Sequence, residues 1–307
     1  MTAPAVHPRT STKENNPVMN RIRHVSPDVK QRVHRVSRRV GQLTAGQRML
    51  PSFLIVGAQR SGTTSMYRAL SQHPAVLKAV LHKGVHYFDM DHARGLDWYR
   101  GHFPLRLSAE RVRRRTGVPA QTFESSPYYL THPLAAERIE RELPAVKLLV
   151  LVRDPVERAY SAHAHELARG FETEPFERAL ELEESRLAGE AERLRADPNC
   201  ASHHHQHNAY VSRGQYIDHL EPLAVRFGRV RLHVVDSHDF FARPEPTYDA
   251  VLDFLELPRG AYPLFEKHNA RPRSSMPEAL RERLTAHFAP YDERLGEWLG
   301  QPPSWRR

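Results

Sequence analysis

The chain has 307 residues, 40% hydrophobic and 26% charged, which excludes a wholly disordered or collagen-like polypeptide and suits one large domain. Its formal charge of +9 would suit a polyanionic partner, yet residues 1–50 hold ten Lys/Arg against two acids, and the rest of the chain is almost neutral. A basic tail on a neutral domain lacks the sustained positive surface that nucleic-acid binding needs, so no nucleic-acid partner is expected.

Residues 1–50 therefore read as a basic extension and residues 51–307 as the folded domain. Within the extension, Ser26-Pro27-Asp28 is a helix start, and Val25, Val29, Val33, Val36 and Val40 recur at helical spacing up to Gly41. Contact with an acidic partner is one reading of that helix; the favoured one packs its valines on the domain and leaves its arginines in water. The domain opens with Phe53-Leu54-Ile55-Val56, a buried-strand signature, then a Gly-bounded loop from Gly57 to Thr64 and a helix to His73-Pro74. Thr122-Phe123 marks a further strand. The pattern returns at Lys147 to Val152, where Asp154 is an N-cap, Pro155 the first helical residue and Gly170 the stop. Residues 172–197 predict a charged helical excursion, and Val230 to Val235 a last strand. Continuous rather than alternating apolar strands imply an α/β fold, three-layered, with a central parallel sheet covered on both faces.

Cys200 stands alone, which excludes an internal disulfide and fits a reducing compartment. No apolar leader is visible, and no apolar run approaches the roughly 20 residues of a bilayer span, so a cytoplasmic protein without a transmembrane segment is expected. His203-His204-His205-Gln206-His207 predicts a loop rather than a metal site, because adjacent histidines do not converge on one ion.

A Gly-bounded turn between a buried strand and a helix points several backbone N–H groups and a positive helix end at one anion. The residue after Gly62 is Thr63, so the lysine of an ATP- or GTP-binding P-loop is missing and a nucleotide kinase becomes the minor reading. Instead, Gly57-x-x-Arg60-Ser61-Gly62-Thr63-Thr64 resembles the 5′-phosphosulfate loop of sulfotransferases that use 3′-phosphoadenosine 5′-phosphosulfate (PAPS). Leu151-x-Arg153-x-Pro155-x-x-Arg158-x-x-Ser161 is similar to the 3′-phosphate segment of that family. Arg213-Gly214-Gln215-Tyr216 resembles a segment of its glycan-type members, the group that contains the heparan sulfate sulfotransferases.

The resemblance implies a P-loop-like phosphosulfate site and PAPS as co-substrate without a metal. It also implies in-line transfer of the sulfuryl group to a hydroxyl or amine of a carbohydrate or small-molecule acceptor. Arg60, Ser61, Gly62, Thr63, Thr64, Arg153, Ser161 and Tyr216 are then expected at the nucleotide, with Arg271, Arg273 and Ser274 as looser matches in a closing loop. Lys83-Gly84-Val85-His86-Tyr87-Phe88-Asp89 resembles K-E-x-H-F-F-D, whose glutamate is the general base; here that position is Gly84. Glu124-Ser125-Ser126 resembles E-K-[ST], with Ser125 in place of lysine. Arg60 and Lys83 are thus expected to stabilise charge and His86, oriented by Asp89, to serve as base, with Glu124 the alternative base. The two departures leave open a degenerate module that binds PAPS or its product without turnover.

Overall fold

In the computed structural model, residue 37, residues 39–266 and residues 275–307 are described. Five strands, β1 (Phe53–Gly57), β2 (Val76–Lys78), β3 (Gln121–Ser125), β4 (Lys147–Val152) and β5 (Leu232–Asp236), form one sheet in the order β2-β3-β1-β4-β5. All four pairings are parallel: Phe53 lies opposite Phe123 on one side and Lys147 on the other, and Leu148 opposite Leu232. Parallel pairing aims every carboxyl end at one edge, where ligands bind in open α/β sheets.

The unbroken apolar runs are explained by burial on both faces. Leu54, Val56, Leu148, Val150 and Val152 enter one apolar core and Phe53, Ile55, Leu149 and Leu151 the other. At about 1.5–3 kcal/mol per fully buried aliphatic side chain, these residues dominate the sheet's stability. The helices that cover it, in chain order, are α1 (Thr63–Leu70), α2 (Leu96–Arg100), α3 (Arg106–Thr116), α4 (Ala135–Glu142) and α5 (Pro155–Leu167). They continue with α6 (Phe176–Leu187), α7 (Glu190–Ala196), α8 (His203–His207) and α9 (Tyr216–Phe227), then α10 (Ser237–Ala242), α11 (Pro244–Phe254) and α12 (Glu278–Leu299). Met66, Ala69 and Leu70 of α1 join Val251 and Leu252 of α11 on one face; Ile217, Leu220 and Leu223 of α9 join Ile139 of α4 on the other.

The Asp154 cap is present, its carboxylate accepting from the N–H groups of Val156 (2.9 Å) and Glu157 (3.4 Å). Three details depart from the sequence pattern. Strand β5 starts at Leu232 rather than Val230, because Gly228 in the left-handed region turns the chain into a 3₁₀ turn that leaves Val230 exposed. The histidine run is one helical turn, not a loop: Ser202 caps it by accepting from the His205 N–H at 3.0 Å. The excursion over residues 172–197 is not a solvated hairpin, since Phe176 and Ala179 pack with Tyr210 and with Val156, Ala159 and Ala162 of α5.

Residues 39–50 already dock on the domain. Ala45 is buried, and the Arg48 guanidinium donates to the Phe103 carbonyl at 2.6 Å. The rest of the valine stripe, Val25 to Val36, lies outside the described residues. Among the described residues no helix is long and apolar enough to cross a membrane.

Candidate active site

The loop after β1 is bent by two residues in the left-handed region, Arg60 (φ 70°) and Gly62 (φ 86°). Gly62 has a local reason to be glycine beyond its φ: a Cβ there would stand 3.0 Å from Ser237 Oγ and 3.3 Å from the Phe241 ring. Arg60 tolerates that conformation at a small energetic cost, of the kind that clusters where a loop must present groups to a ligand. Its Nε donates to Ser161 Oγ at 3.1 Å, joining the loop after β1 to the helix after β4. Lys83 Nζ donates to Thr63 Oγ1 (3.2 Å) and Thr64 Oγ1 (3.1 Å) at the start of α1. Burial pushes the Lys83 ammonium down to about 8, with the Glu124 charge opposing.

These groups face one cavity of about 700 Å³, lined by Arg60, Gly62, Thr63, Thr64, Lys83, His86, Arg153 and Ser161 together with residues that carry no sequence signal. Ser61, Asp89, Glu124 and Tyr216 stand behind that wall, all buried. Tyr216 acts on the site from behind, its hydroxyl donating to the Arg153 carbonyl at 2.8 Å. Arg153 lies 3.5 Å from Glu157, which Arg281 also grips at 2.7 Å. Arg271, Arg273 and Ser274 lie outside the described residues.

His86 enters the cavity from a left-handed residue (φ 56°) whose N–H donates to Ser126 Oγ at 3.0 Å. Its Nδ1 is 2.8 Å from Asp89 Oδ2, which fixes the ring and leaves Nε2 for the cavity side. Burial opposes an imidazolium here, but the Asp89 hydrogen bond and the charges of Asp89, Glu124 and Asp91 outweigh it and raise the His86 pKa. Glu124 is fully buried and accepts from the Val85 N–H (3.0 Å), Ser126 Oγ (2.7 Å), the Tyr129 hydroxyl (2.7 Å) and, more distantly, the Tyr99 hydroxyl (3.4 Å). Burial raises its pKa against those hydrogen bonds.

Gly84 leaves no room for a side chain. A Cβ there would be 2.6 Å from the Ser125 carbonyl oxygen, 3.0 Å from Ser126 Oγ and 3.4 Å from His86 Nε2. The first two contacts are fixed parts of the β3 end, so Gly84→Ala is expected to cost about 1–3 kcal/mol of stability, read as a lower denaturation midpoint. Gly84→Glu is expected to lower turnover rather than raise it, because the same collision displaces His86. A glutamate variant more active than the parent would contradict this.

The opposite wall was not legible in the sequence. Glu166, 1% exposed, accepts from Gln59 Nε2 (3.2 Å) and pairs with His207 Nδ1 (2.9 Å). Burial alone would raise its carboxyl, but His207 and Arg169 outweigh that and hold it below the ordinary range. Arg213 lines the cavity with its guanidinium 4.9 Å from the Tyr128 ring centre. It donates to Gln59 Oε1 and to the carbonyls of His205 and Gln206, all neutral acceptors, and its Nε is buried without a partner. Arg158 is buried likewise, with Nε and Nη1 unpartnered. Among the described residues neither arginine meets a carboxylate at ion-pair distance, so this end of the molecule presents uncompensated positive charge, as a multiply charged anion requires. Among the described residues no group of three His, Cys, Asp or Glu side chains is arranged to hold a metal ion.

The sulfotransferase domain family matches residues 50–270. The chain is 28% identical over 281 residues to a heparan sulfate glucosamine 3-O-sulfotransferase 5 of Mus musculus, covering 83% of this chain and 74% of that protein. It is 25% identical over 289 residues to a bifunctional heparan sulfate N-deacetylase/N-sulfotransferase 1 of Caenorhabditis elegans, 84% of this chain but 31% of that protein. Among solved structures, a sulfotransferase from Alicyclobacillus acidocaldarius superposes with a TM-score of 0.59 at 29% identity, over 84% of this chain and all of that one.

Proposed function

The chain belongs to the sulfotransferase family and is an enzyme; on that premise we propose that it moves a sulfuryl group from PAPS to a hydroxyl or amine of a carbohydrate or small-molecule acceptor. The observation that carries this reading is the Arg60–Ser161 hydrogen bond, which joins the phosphosulfate-type loop to the 3′-phosphate-type helix across one cavity. When bound, PAPS supplies an activated sulfuryl group whose leaving group is a phosphate. In this reading Arg60, the loop N–H groups and Lys83 carry the charge that develops on that phosphate, and Arg60 does so without giving up a proton. Arg153 and Ser161 hold the 3′-phosphate. Ser61 and Tyr216 support the loop and the β4 end from behind, and Arg271, Arg273 and Ser274 remain candidate nucleotide contacts.

His86 is the base: Nδ1 is committed to Asp89, so Nε2 accepts the acceptor's proton. Asp89 is the positioning residue for His86, and Glu124, held by four donors off the cavity wall, fixes the backbone of Val85 and the Ser126 hydroxyl that hold His86 in place. The acceptor takes the wall of Gln59, Gln206, His207, Arg169 and Arg213, whose donors suit a hydroxyl-rich ligand; the heparan sulfate relatives favour a carbohydrate. The working domain spans residues 51–307, and its place is the cytoplasm.

Labelled sulfate from PAPS, offered with a panel of glycans and small hydroxylated molecules, is expected to appear on an acceptor, and PAP, the desulfated product, to raise the melting temperature. Stabilisation by ATP with Mg²⁺ but not by PAP would overturn the donor assignment.

A further inference from the structure

The segment after α12 is fastened with more care than a chain end needs. Ser304 donates twice to Asp236, through its N–H and through Oγ, both at 2.9 Å. Asp236 is the last residue of β5 and also caps α10, accepting from the His238 N–H at 2.9 Å. Arg306 Nε donates to the buried Asp292 of α12 at 2.7 Å, and Arg307 Nη2 to Asp239 of α10 at 3.0 Å. Three carboxylates on two elements therefore bracket the residue between them, Trp305.

Trp305 lines the cavity, with Ser237, His238 and Phe241 of α10 beside it. It packs on the core residue Tyr216, ring centres 6.2 Å apart, and Tyr216 holds the Arg153 carbonyl. Phe241 in turn sits against Gly62 of the anion loop. This aromatic stretch thus touches the supports of both phosphate-binding points, Gly62 on one side and Arg153 on the other. A ligand whose two anionic groups occupy those points carries its connecting body along this wall. An indole and a phenyl ring suit a flat heteroaromatic body and offer little to a sugar hydroxyl.

We propose that Trp305, latched by Asp236, Asp239 and Asp292, is a binding residue for the purine ring of the donor nucleotide. The assignment rests on the donor reading above, and it gives the 304–307 segment a role in nucleotide affinity rather than only in packing α12. The latches matter because a stacking surface helps only when its position is set before the ligand arrives.

The chain has three tryptophans, and the other two, Trp98 and Trp298, do not line the cavity. Titrating the full chain with PAP is therefore expected to change tryptophan fluorescence. Trp305→Phe is expected to abolish that change while PAP affinity, measured by calorimetry, stays within about threefold. Trp305→Ala is expected to weaken PAP about tenfold or more, the size of effect seen when one base-stacking aromatic is removed. A fluorescence change that survives in Trp305→Phe overturns the proposal, as does a folded Trp305→Ala protein that binds PAP like the parent. If the alanine variant fails to fold, the phenylalanine titration alone decides. A parent chain that does not bind PAP removes the donor reading and this inference with it, whereas unchanged binding by the variants removes the inference alone.

Discussion

Replacing His86 by alanine is expected to lower kcat by about 10²–10⁴-fold, the usual yield of a positioned general base, while PAP affinity stays near the parent value. The split between turnover and affinity follows from place: His86 faces the cavity from the segment between β2 and α2, whereas the phosphate-type contacts come from the β1 and β4 loops. A variant with parental turnover would remove His86 from the chemistry. The pH dependence is the sharper check. His86 accepts a proton only when neutral, and its pKa is raised because Asp89, Glu124 and Asp91 outweigh burial. Activity therefore climbs with pH through a value above the ordinary histidine range. Lys83 must stay charged, and burial has pushed it down to about 8, so kcat/KM falls again on the alkaline side. Asp89→Asn removes the charge that favours imidazolium and is expected to move the acid limb to lower pH. Lys83→Arg, which does not titrate in this range, is expected to move the alkaline limb upward.

Arg153→Ala is expected to weaken PAP by about 10–100-fold, since a hydrogen bond to a charged group contributes about 1.5–3 kcal/mol and 1.4 kcal/mol is tenfold in affinity. The loss exceeds that of a surface arginine for a structural reason. The Arg153 backbone is held by Tyr216 at the end of β4, so the guanidinium starts from a fixed root, and Arg281 already engages its carboxylate neighbour Glu157. Fold stability should change little, because the head group is one-third exposed and its printed ion pair is long, at 3.5 Å. Calorimetry with PAP on the variant checks the affinity. An unchanged dissociation constant would assign the 3′-phosphate elsewhere, with Arg158 the nearest alternative.

What was legible in the sequence is what a few neighbouring residues decide among themselves. Phe53 to Val56 and Lys147 to Val152 announce buried strands because continuous aliphatic character has no other stable outcome in water, and Asp154-Pro155 announces a helix because the cap satisfies N–H groups two and three residues on. The phosphate-type loop is legible for the same reason: its glycines and helix start form an anion site by local backbone geometry. The histidine turn was misread because its cap, Ser202, lies just outside the polar run that drew attention.

Only the tertiary structure decided which charged groups reach the cavity. Glu124 and His86 look equally eligible as bases along the chain, but β3 pairs beside β1 and buries Glu124 under three hydroxyl donors and one N–H, while the left-handed turn at His86 carries its ring outward. Gly84 reads as a missing base in sequence and becomes a packing requirement once the Ser125 carbonyl stands 2.6 Å from the site of its absent Cβ. Arg213 and Trp305, more than 150 and 240 residues from Gln59, carry no local signal at all. Their roles come from the fold bringing distant elements to the carboxyl edge of the sheet, and from desolvation there, which gives a buried guanidinium without a carboxylate a strong demand for an anion.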